Sequence, residues 1–114
     1  MNTFLPALAL VAAFFCTEGF AQNAADIEAG EAAYDQHCAS CHGEKVRGSG
    51  ALPDLRDLGA QDRERFNNAV TEGRGQMPSF QGMLTTQEIE QVWEYVRSRA
   101  RGTRPDKVSA CPCR

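Results

Sequence analysis

Two cysteines and a histidine stand close together near the middle of this 114-residue chain. The segment Cys38-Ala39-Ser40-Cys41-His42 has the spacing C-x-x-C-H. Two thiols held about one helical turn apart can add to the two vinyl groups along one edge of a porphyrin. The histidine that follows the second cysteine then lies beneath the iron, where its imidazole can bind the metal. The spacing therefore predicts one covalently attached haem c, with His42 as an iron ligand.

Cysteines at this spacing also occur in two other kinds of site. A redox-active dithiol begins a helix that follows a β-strand, but no strand pattern precedes Cys38. A zinc site could take Cys38, Cys41, Cys111 and Cys113 as its four ligands, but it would leave His42 without a role. Both alternatives describe a protein without haem. We favour haem attachment because it uses all three residues of the motif.

Iron bound by one histidine has a second axial position, for which His37, Met77 and Met83 are the candidates. Met77 lies in the loop 75–78, where a following proline stiffens the chain and a preceding glycine lets the backbone approach the haem. His37 is so near His42 that both are expected on the same side of the haem. We predict Met77 as the sixth ligand, with Met83 as its competitor. The alternative is an open sixth site in a sensor or a peroxidase-like enzyme.

Three stretches have the periodicity of amphipathic α-helices, and none reads as a convincing strand. The first helix is predicted from about residue 26 to residue 37, and its shared face consists of Ile27, Gly30, Tyr34 and His37. The second is predicted from Asp62, as N-cap, to about Glu72, with Gly73 just past its end. Its apolar face consists of Phe66, Ala69 and Val70.

The third helix has the clearest boundary signals. Thr85 and Glu88 form a capping box, and Leu84 and Ile89 are spaced for a hydrophobic staple. Gly102 is expected to end this helix. Its apolar stripe consists of Ile89, Val92, Trp93, Val96 and Ala100. Loops rich in Gly and Pro, at 43–61 and 73–84, separate the three helices, and their length suggests that a bound group lies between them.

The two ends of the chain differ from the domain predicted over residues 22–102. Residues 1–21 contain an apolar run that is too short to span a bilayer as a helix, and small residues precede a cleavage point after Ala21. We predict a secretory signal peptide, which places the mature protein in the periplasm without a membrane span. An uncleaved anchor is the alternative. Residues 103–114 form a basic tail with Cys111 and Cys113, interpreted as a solvated extension rather than a docking arm.

The composition narrows the function classes further. The formal net charge is −3, without the basic excess of a nucleic-acid-binding protein. A hydrophobic share of 42% in so short a chain indicates one globular domain with a small core. Domains of this size usually need an additional stabilising element, such as disulfides, a metal or a cofactor. A covalently held haem would provide one.

Residues 25–101 resemble the class I cytochromes c. The resemblance rests on Gly30, Tyr34, the segment 38–43, Pro53, Met77-Pro78 and the region 93–96. It implies an all-α fold in which three main helices pack around one haem, and in which the first and last helices cross near Gly30. It also implies that the carbonyl of Pro53 accepts a hydrogen bond from Nδ1 of His42, which would orient the imidazole ring.

Three shorter segments, 52–56, 77–80 and 96–100, resemble more narrowly the cytochrome domains that accompany quinoprotein alcohol dehydrogenases. Those enzymes use pyrroloquinoline quinone (PQQ). In that group an arginine at the place of Arg56 lies near the haem propionates, and an ordinary surface charge is the alternative. The resemblance implies a one-electron carrier rather than an enzyme. Its donor would be a PQQ-dependent alcohol dehydrogenase, and its acceptor a further cytochrome or a terminal oxidase.

Overall fold

The computed structural model describes residues 18–101, with side chains from residue 21 onward. Four α-helices occur in this range: α1 (Glu18–His37), α2 (Ala39–His42), α3 (Arg63–Glu72) and α4 (Thr86–Ser98). Short 3₁₀ turns lie at Glu44–Val46, Leu55–Asp57 and Ala60–Asp62. The described residues form no strand, only isolated bridges between Arg74 and Met77 and between Gln81 and Leu84. The all-α prediction is confirmed, and α1, α3 and α4 are the three predicted helices.

Helix α1 begins well before the predicted start near residue 26. Residues 21–25 are exposed, so they present no buried face that periodicity could detect. They are rich in alanine, which has the highest helix propensity, and the Gln22 side chain also donates to Asp26 at 3.4 Å. The helix therefore runs through the predicted cleavage point after Ala21. Most of the predicted signal peptide and the whole tail 103–114 lie outside the described residues.

Helices α1 and α4 cross with almost no space between their backbones. A Cβ atom built on the buried Gly30 would lie 1.9 Å from the carbonyl oxygen of Gln91 and 3.0 Å from Cβ of Tyr95. One turn further along α1, the rings of Tyr34 and Tyr95 pack with their centroids 5.4 Å apart. The expected crossing near Gly30 is confirmed, and glycine is needed there because any side chain would overlap the facing backbone.

The core lies between α1, α3 and α4 and is closed by the loops. Phe66 of α3 packs against Trp93 of α4, with ring centroids 5.1 Å apart. The buried apolar residues are Tyr34, Val46, Phe66, Val70, Phe80, Leu84, Val92, Trp93, Tyr95 and Val96. Tyr95 was not part of the predicted stripe of α4, although it is fully buried against α1. No helix within residues 18–101 is long and apolar enough to cross a membrane.

The helix ends match the predictions in part. Around the start of α4, Glu88 N–H donates to Oγ1 of Thr85 at 3.2 Å and Thr85 N–H donates to Oε2 of Glu88 at 2.8 Å, so the capping box is confirmed. Asp62 is the N-cap residue of α3, as predicted, but its side chain makes no hydrogen bond to α3 and instead accepts from Gly59 N–H at 2.8 Å in the preceding 3₁₀ turn. Helix α4 ends at Ser98 rather than at Gly102.

Replacing Gly30 by alanine tests the helix crossing. By helix propensity alone, Gly30→Ala would stabilise α1 by about 1 kcal/mol. We expect instead a loss of about 3 kcal/mol in the free energy of unfolding, because the added methyl group forces α1 and α4 apart. Urea denaturation checks this, with Ala29→Gly on the exposed face of α1 as a control that costs about 1 kcal/mol. A Gly30→Ala variant as stable as the parent would contradict the crossing.

Candidate functional site

The two cysteines and His42 are held on one nearly continuous helical path. Cys38 follows α1 directly, and its N–H donates to the carbonyl of Tyr34 at 2.8 Å. The N–H groups of Cys41 and His42 both donate to the carbonyl of Cys38, at 3.2 and 2.9 Å. The thiols of Cys38 and Cys41 therefore lie about one turn apart, as the sequence predicts.

Both thiols of the motif are available for reaction. Neither Cys38 nor Cys41 forms a disulfide among the described residues. Cys38 is half-buried and Cys41 is exposed. Burial, and then the neighbouring Cys41, raise the pKa of the Cys38 thiol to about 11, so it is held as a neutral thiol. Two free thiols on one turn, one half-buried and one at the surface, suit addition to adjacent vinyl groups along a porphyrin edge.

The surroundings of the His42 imidazole favour its neutral form. The side chain is half-buried, and burial lowers its pKa because the charged form loses hydration. A metal-binding histidine must be neutral, so the shift favours coordination. The buried Nδ1 atom has no hydrogen-bond partner among residues 18–101. A half-buried imidazole that favours its neutral form, beside two free thiols, fits the attachment of a haem c at this turn.

The hydrogen bond expected between Nδ1 of His42 and the carbonyl of Pro53 is not formed. Residues 49–53, which include Pro53, are all exposed. The backbone after His42 is instead closed by Gly48, whose N–H donates to the carbonyl of His42 at 3.0 Å. The role of Gly48 was missed in the sequence, where it is one glycine among several in a loop.

The three candidates for the sixth ligand occupy different environments. Met77 is half-buried and packs against the core, whereas Met83 is 62% exposed. His37 is half-buried at the end of α1, and its ring meets that of Phe80 edge-on at 6.1 Å between centroids. Met77 is thus the methionine whose side chain already lies against the interior.

The loop that carries Met77 is anchored to α3. Arg74 and Met77 exchange two backbone hydrogen bonds of 3.0 and 2.9 Å, which close a tight turn. Gly73 ends α3 at φ +79°, and a Cβ atom there would lie 2.7 Å from the carbonyl oxygen of Met77. Phe80 N–H donates to the carbonyl of Val70 at 2.9 Å. The turn is therefore fixed on both sides of Met77.

Arg56 is engaged with its own neighbours. Its Nε and Nη2 donate to the two carboxylate oxygens of Asp54 at 3.0 and 2.7 Å, and Nη2 also reaches the carbonyl of Arg47 at 3.3 Å. These bonds hold the pKa of Asp54 well below its usual range. Arg101 also pairs with Asp54, and its N–H donates to the carbonyl of Arg56 at 3.0 Å. Arg56 thus belongs to a cluster that ties the loop to the residues after α4.

The alternatives without haem find little support in the described part of the chain. No group of three or more His, Cys, Asp or Glu side chains that could hold a metal ion occurs within residues 18–101. Cys111 and Cys113 of the zinc hypothesis lie outside that range. A helix, and not a strand, leads into Cys38, so the arrangement also differs from a dithiol at the start of a βαβ helix.

Comparison with protein families places the site in a known context. The family described as cytochrome c oxidase, cbb3-type, subunit III matches residues 25–96, a segment that includes the C-x-x-C-H motif and Met77. The chain is 33% identical over 86 residues to cytochrome c550 of Pseudomonas aeruginosa, which covers 69% of this chain and 59% of that protein.

Larger proteins contain a similar segment. The chain is 38% identical over 80 residues to the quinohemoprotein alcohol dehydrogenase ADH-IIG of Pseudomonas putida, which covers 68% of this chain but 11% of that enzyme. The solved structure of ADHIIG from Pseudomonas putida HK5 superposes with a TM-score of 0.63 and 38% identity. That superposition covers 68% of this chain and 12% of the solved chain. The similarity therefore concerns a small part of the dehydrogenase.

Proposed function

This chain belongs to the class I cytochrome c family and carries a covalently bound haem c, and we propose that it is a one-electron carrier in the periplasm. The observation that carries the proposal is a half-buried imidazole on the same helical turn as two free thiols. The haem supplies an iron that changes between the ferrous and ferric states. The predicted signal peptide supports the periplasmic location.

We assign the axial ligands to His42 and Met77. His42 is kept neutral by burial, and Met77 lies against the core on a turn fixed to α3. A thioether ligand favours ferrous iron and so raises the reduction potential. With both axial positions taken by the protein, little rearrangement accompanies electron transfer. The sensor and peroxidase-like alternatives would require one of these positions to be open.

Two methionine variants test this ligation. We expect Met77→Ala to lower the reduction potential by more than about 60 mV, a tenfold change in the equilibrium of a one-electron couple, because the iron loses its thioether ligand. The ferrous variant should also bind carbon monoxide at neutral pH. Potentiometry and absorption spectra measure both effects.

Met83→Ala is the matched control, since Met83 is exposed and its removal should leave the potential and spectra unchanged. If Met83→Ala lowers the potential and Met77→Ala does not, Met83 is the ligand. Binding of carbon monoxide by the unaltered ferrous protein at neutral pH would favour an open sixth site.

We propose that Arg56 also contacts a haem propionate. Its Nε and Nη2 are committed to Asp54 and the Arg47 carbonyl, but Nη1 makes no hydrogen bond to any residue in the range 18–101 and can still donate. Asp54 holds the guanidinium group of Arg56 in one orientation, so that less side-chain entropy is lost when the group binds a propionate.

Arg56→Gln should shift the reduction potential, because a positive charge near a propionate is removed. Arg65→Gln removes the same charge from the exposed face of α3 and is expected to have a smaller effect. Equal potentials in the two variants would assign Arg56 to the pair with Asp54 alone. Potentiometry at fixed ionic strength makes the comparison.

We propose a PQQ-dependent alcohol dehydrogenase as the electron donor, and a further cytochrome or a terminal oxidase as the acceptor. The support for the donor is the similarity between residues of this chain and part of the quinohemoprotein alcohol dehydrogenases.

Reduction by a purified quinoprotein dehydrogenase tests the donor. The oxidised holoprotein should show the absorption bands of reduced haem only when both the dehydrogenase and its alcohol are added. The same enzyme without PQQ is the control and should give no reduction. A protein that ascorbate reduces but the complete enzyme with alcohol does not would exclude this donor, while leaving the electron-carrier assignment in place.

A further inference from the structure

Tyr34 is a fully buried tyrosine whose hydroxyl reaches the loop behind His42. Its side chain is 0% exposed, and its hydroxyl donates to the carbonyl of Gly43 at 2.8 Å. Burial raises the pKa of Tyr34, so the hydroxyl keeps its proton and remains a donor. Apart from Tyr34, the groups that bond the His42–Gly43 backbone are themselves backbone groups.

The two peptide units at His42 and Gly43 have a partner for every polar atom. The N–H groups of His42 and Gly43 donate to the carbonyls of Cys38 and Ala39, at 2.9 and 2.8 Å. The His42 carbonyl accepts from Gly48 at 3.0 Å, and the Gly43 carbonyl accepts from Tyr34. Because buried peptide groups are costly to leave unpaired, these four bonds fix the backbone that carries the imidazole.

Gly43 makes this backbone path possible, and it also makes the path easy to disturb when a hydrogen bond is lost. It has φ +82°, and a Cβ atom there would lie 2.6 Å from the carbonyl oxygen of Gly48. No side chain of its own can therefore hold Gly43 in place, and a glycine is the most mobile residue when its contacts are removed. The Tyr34 hydroxyl supplies the contact from α1.

Tyr34 itself is immobilised by the helix crossing. Its ring packs on Tyr95 of α4 with centroids 5.4 Å apart, one turn beyond the contact between Gly30 and Gln91. A tyrosine held between two helices cannot follow a moving loop. The crossing of α1 and α4 therefore fixes the position of the loop at Gly43 through Tyr34.

We propose that Tyr34 is a positioning residue for His42: its hydrogen bond to the Gly43 carbonyl fixes the direction of the imidazole toward the iron. The role concerns orientation and not ligation. It rests on the proposed ligation of the haem iron by His42. Loss of the hydroxyl leaves a half-buried carbonyl without its hydrogen bond and frees the peptide after His42, while the packing of the ring is kept.

The test compares Tyr34→Phe with Tyr95→Phe in the haem-loaded protein. Tyr95 is an equally buried tyrosine on the facing helix, but its hydroxyl donates to Glu31 at 3.2 Å, away from the attachment loop. Both variants lose one buried hydroxyl, so a general loss of stability is matched. Hydrogen exchange of the Gly43 and Gly48 amides and the hyperfine-shifted ring protons of His42, both followed by NMR, report on the loop and the ligand. The reduction potential is measured alongside.

In Tyr34→Phe we expect the Gly43 and Gly48 amides to exchange at least about tenfold faster than in Tyr95→Phe, as for the loss of one hydrogen bond. The His42 ring signals and the potential should also move in Tyr34→Phe alone. Equal exchange, ring signals and potentials in the two variants would overturn the proposal.

If Tyr34→Phe does not accumulate with haem, the unaltered protein decides: a slowly exchanging Tyr34 hydroxyl proton close to Gly43 supports the proposal, and its absence overturns it.

The unaltered protein also separates this inference from the function on which it rests. If its oxidised spectrum shows no hyperfine-shifted histidine ring, the ligation by His42 fails and the positioning role fails with it. If that ring is present and the two variants are alike, only the role of Tyr34 is lost.

Discussion

The structure depends on the contact between two backbones where α1 crosses α4. There is no room for a methyl group between Gly30 and the carbonyl of Gln91. This close approach lets Tyr34 and Tyr95 pack ring against ring and lets the end of α1 lead directly into Cys38. The crossing thus sets where the two thiols and His42 stand relative to α4. A looser contact would move the attachment turn away from the core.

The site is built from local and distant contacts of different strength. The turn from Cys38 to His42 is a short helix whose spacing any chain with this motif can adopt. The lowered pKa of His42 comes from the burial of its side chain, not from a charged neighbour. Met77 lies in a turn that is hydrogen-bonded to the end of α3. The small core, which has ten buried hydrophobic residues within the range 21–101, explains why a large, covalently attached apolar group would stabilise this fold.

The sequence predicts the features that depend on neighbours along the chain. The C-x-x-C-H motif, the capping box of Thr85 and Glu88 and the apolar stripe of α4 each lie within a few turns of helix, so the pattern is readable. The cluster of Asp54, Arg56 and Arg101 was not predictable, because Arg101 pairs with a residue 47 positions away. Asp62 stands at the predicted N-cap position of α3, but the bond of its carboxylate to Gly59 was not predictable, because the short 3₁₀ turn has no periodic signal in the sequence. Residues 21–25 of α1 are exposed and present no buried face, which hid their helical state.

The most direct measurement is the mass of the intact protein after export from a host with working haem-attachment machinery. Attachment through Cys38 and Cys41 predicts a mass greater than that of the processed polypeptide by one haem. The haem should also stay with the protein in acidified acetone, because thioether bonds survive that treatment. A mass equal to that of the bare polypeptide, or a pigment that passes into the solvent, would contradict covalent attachment and with it the site described around His42.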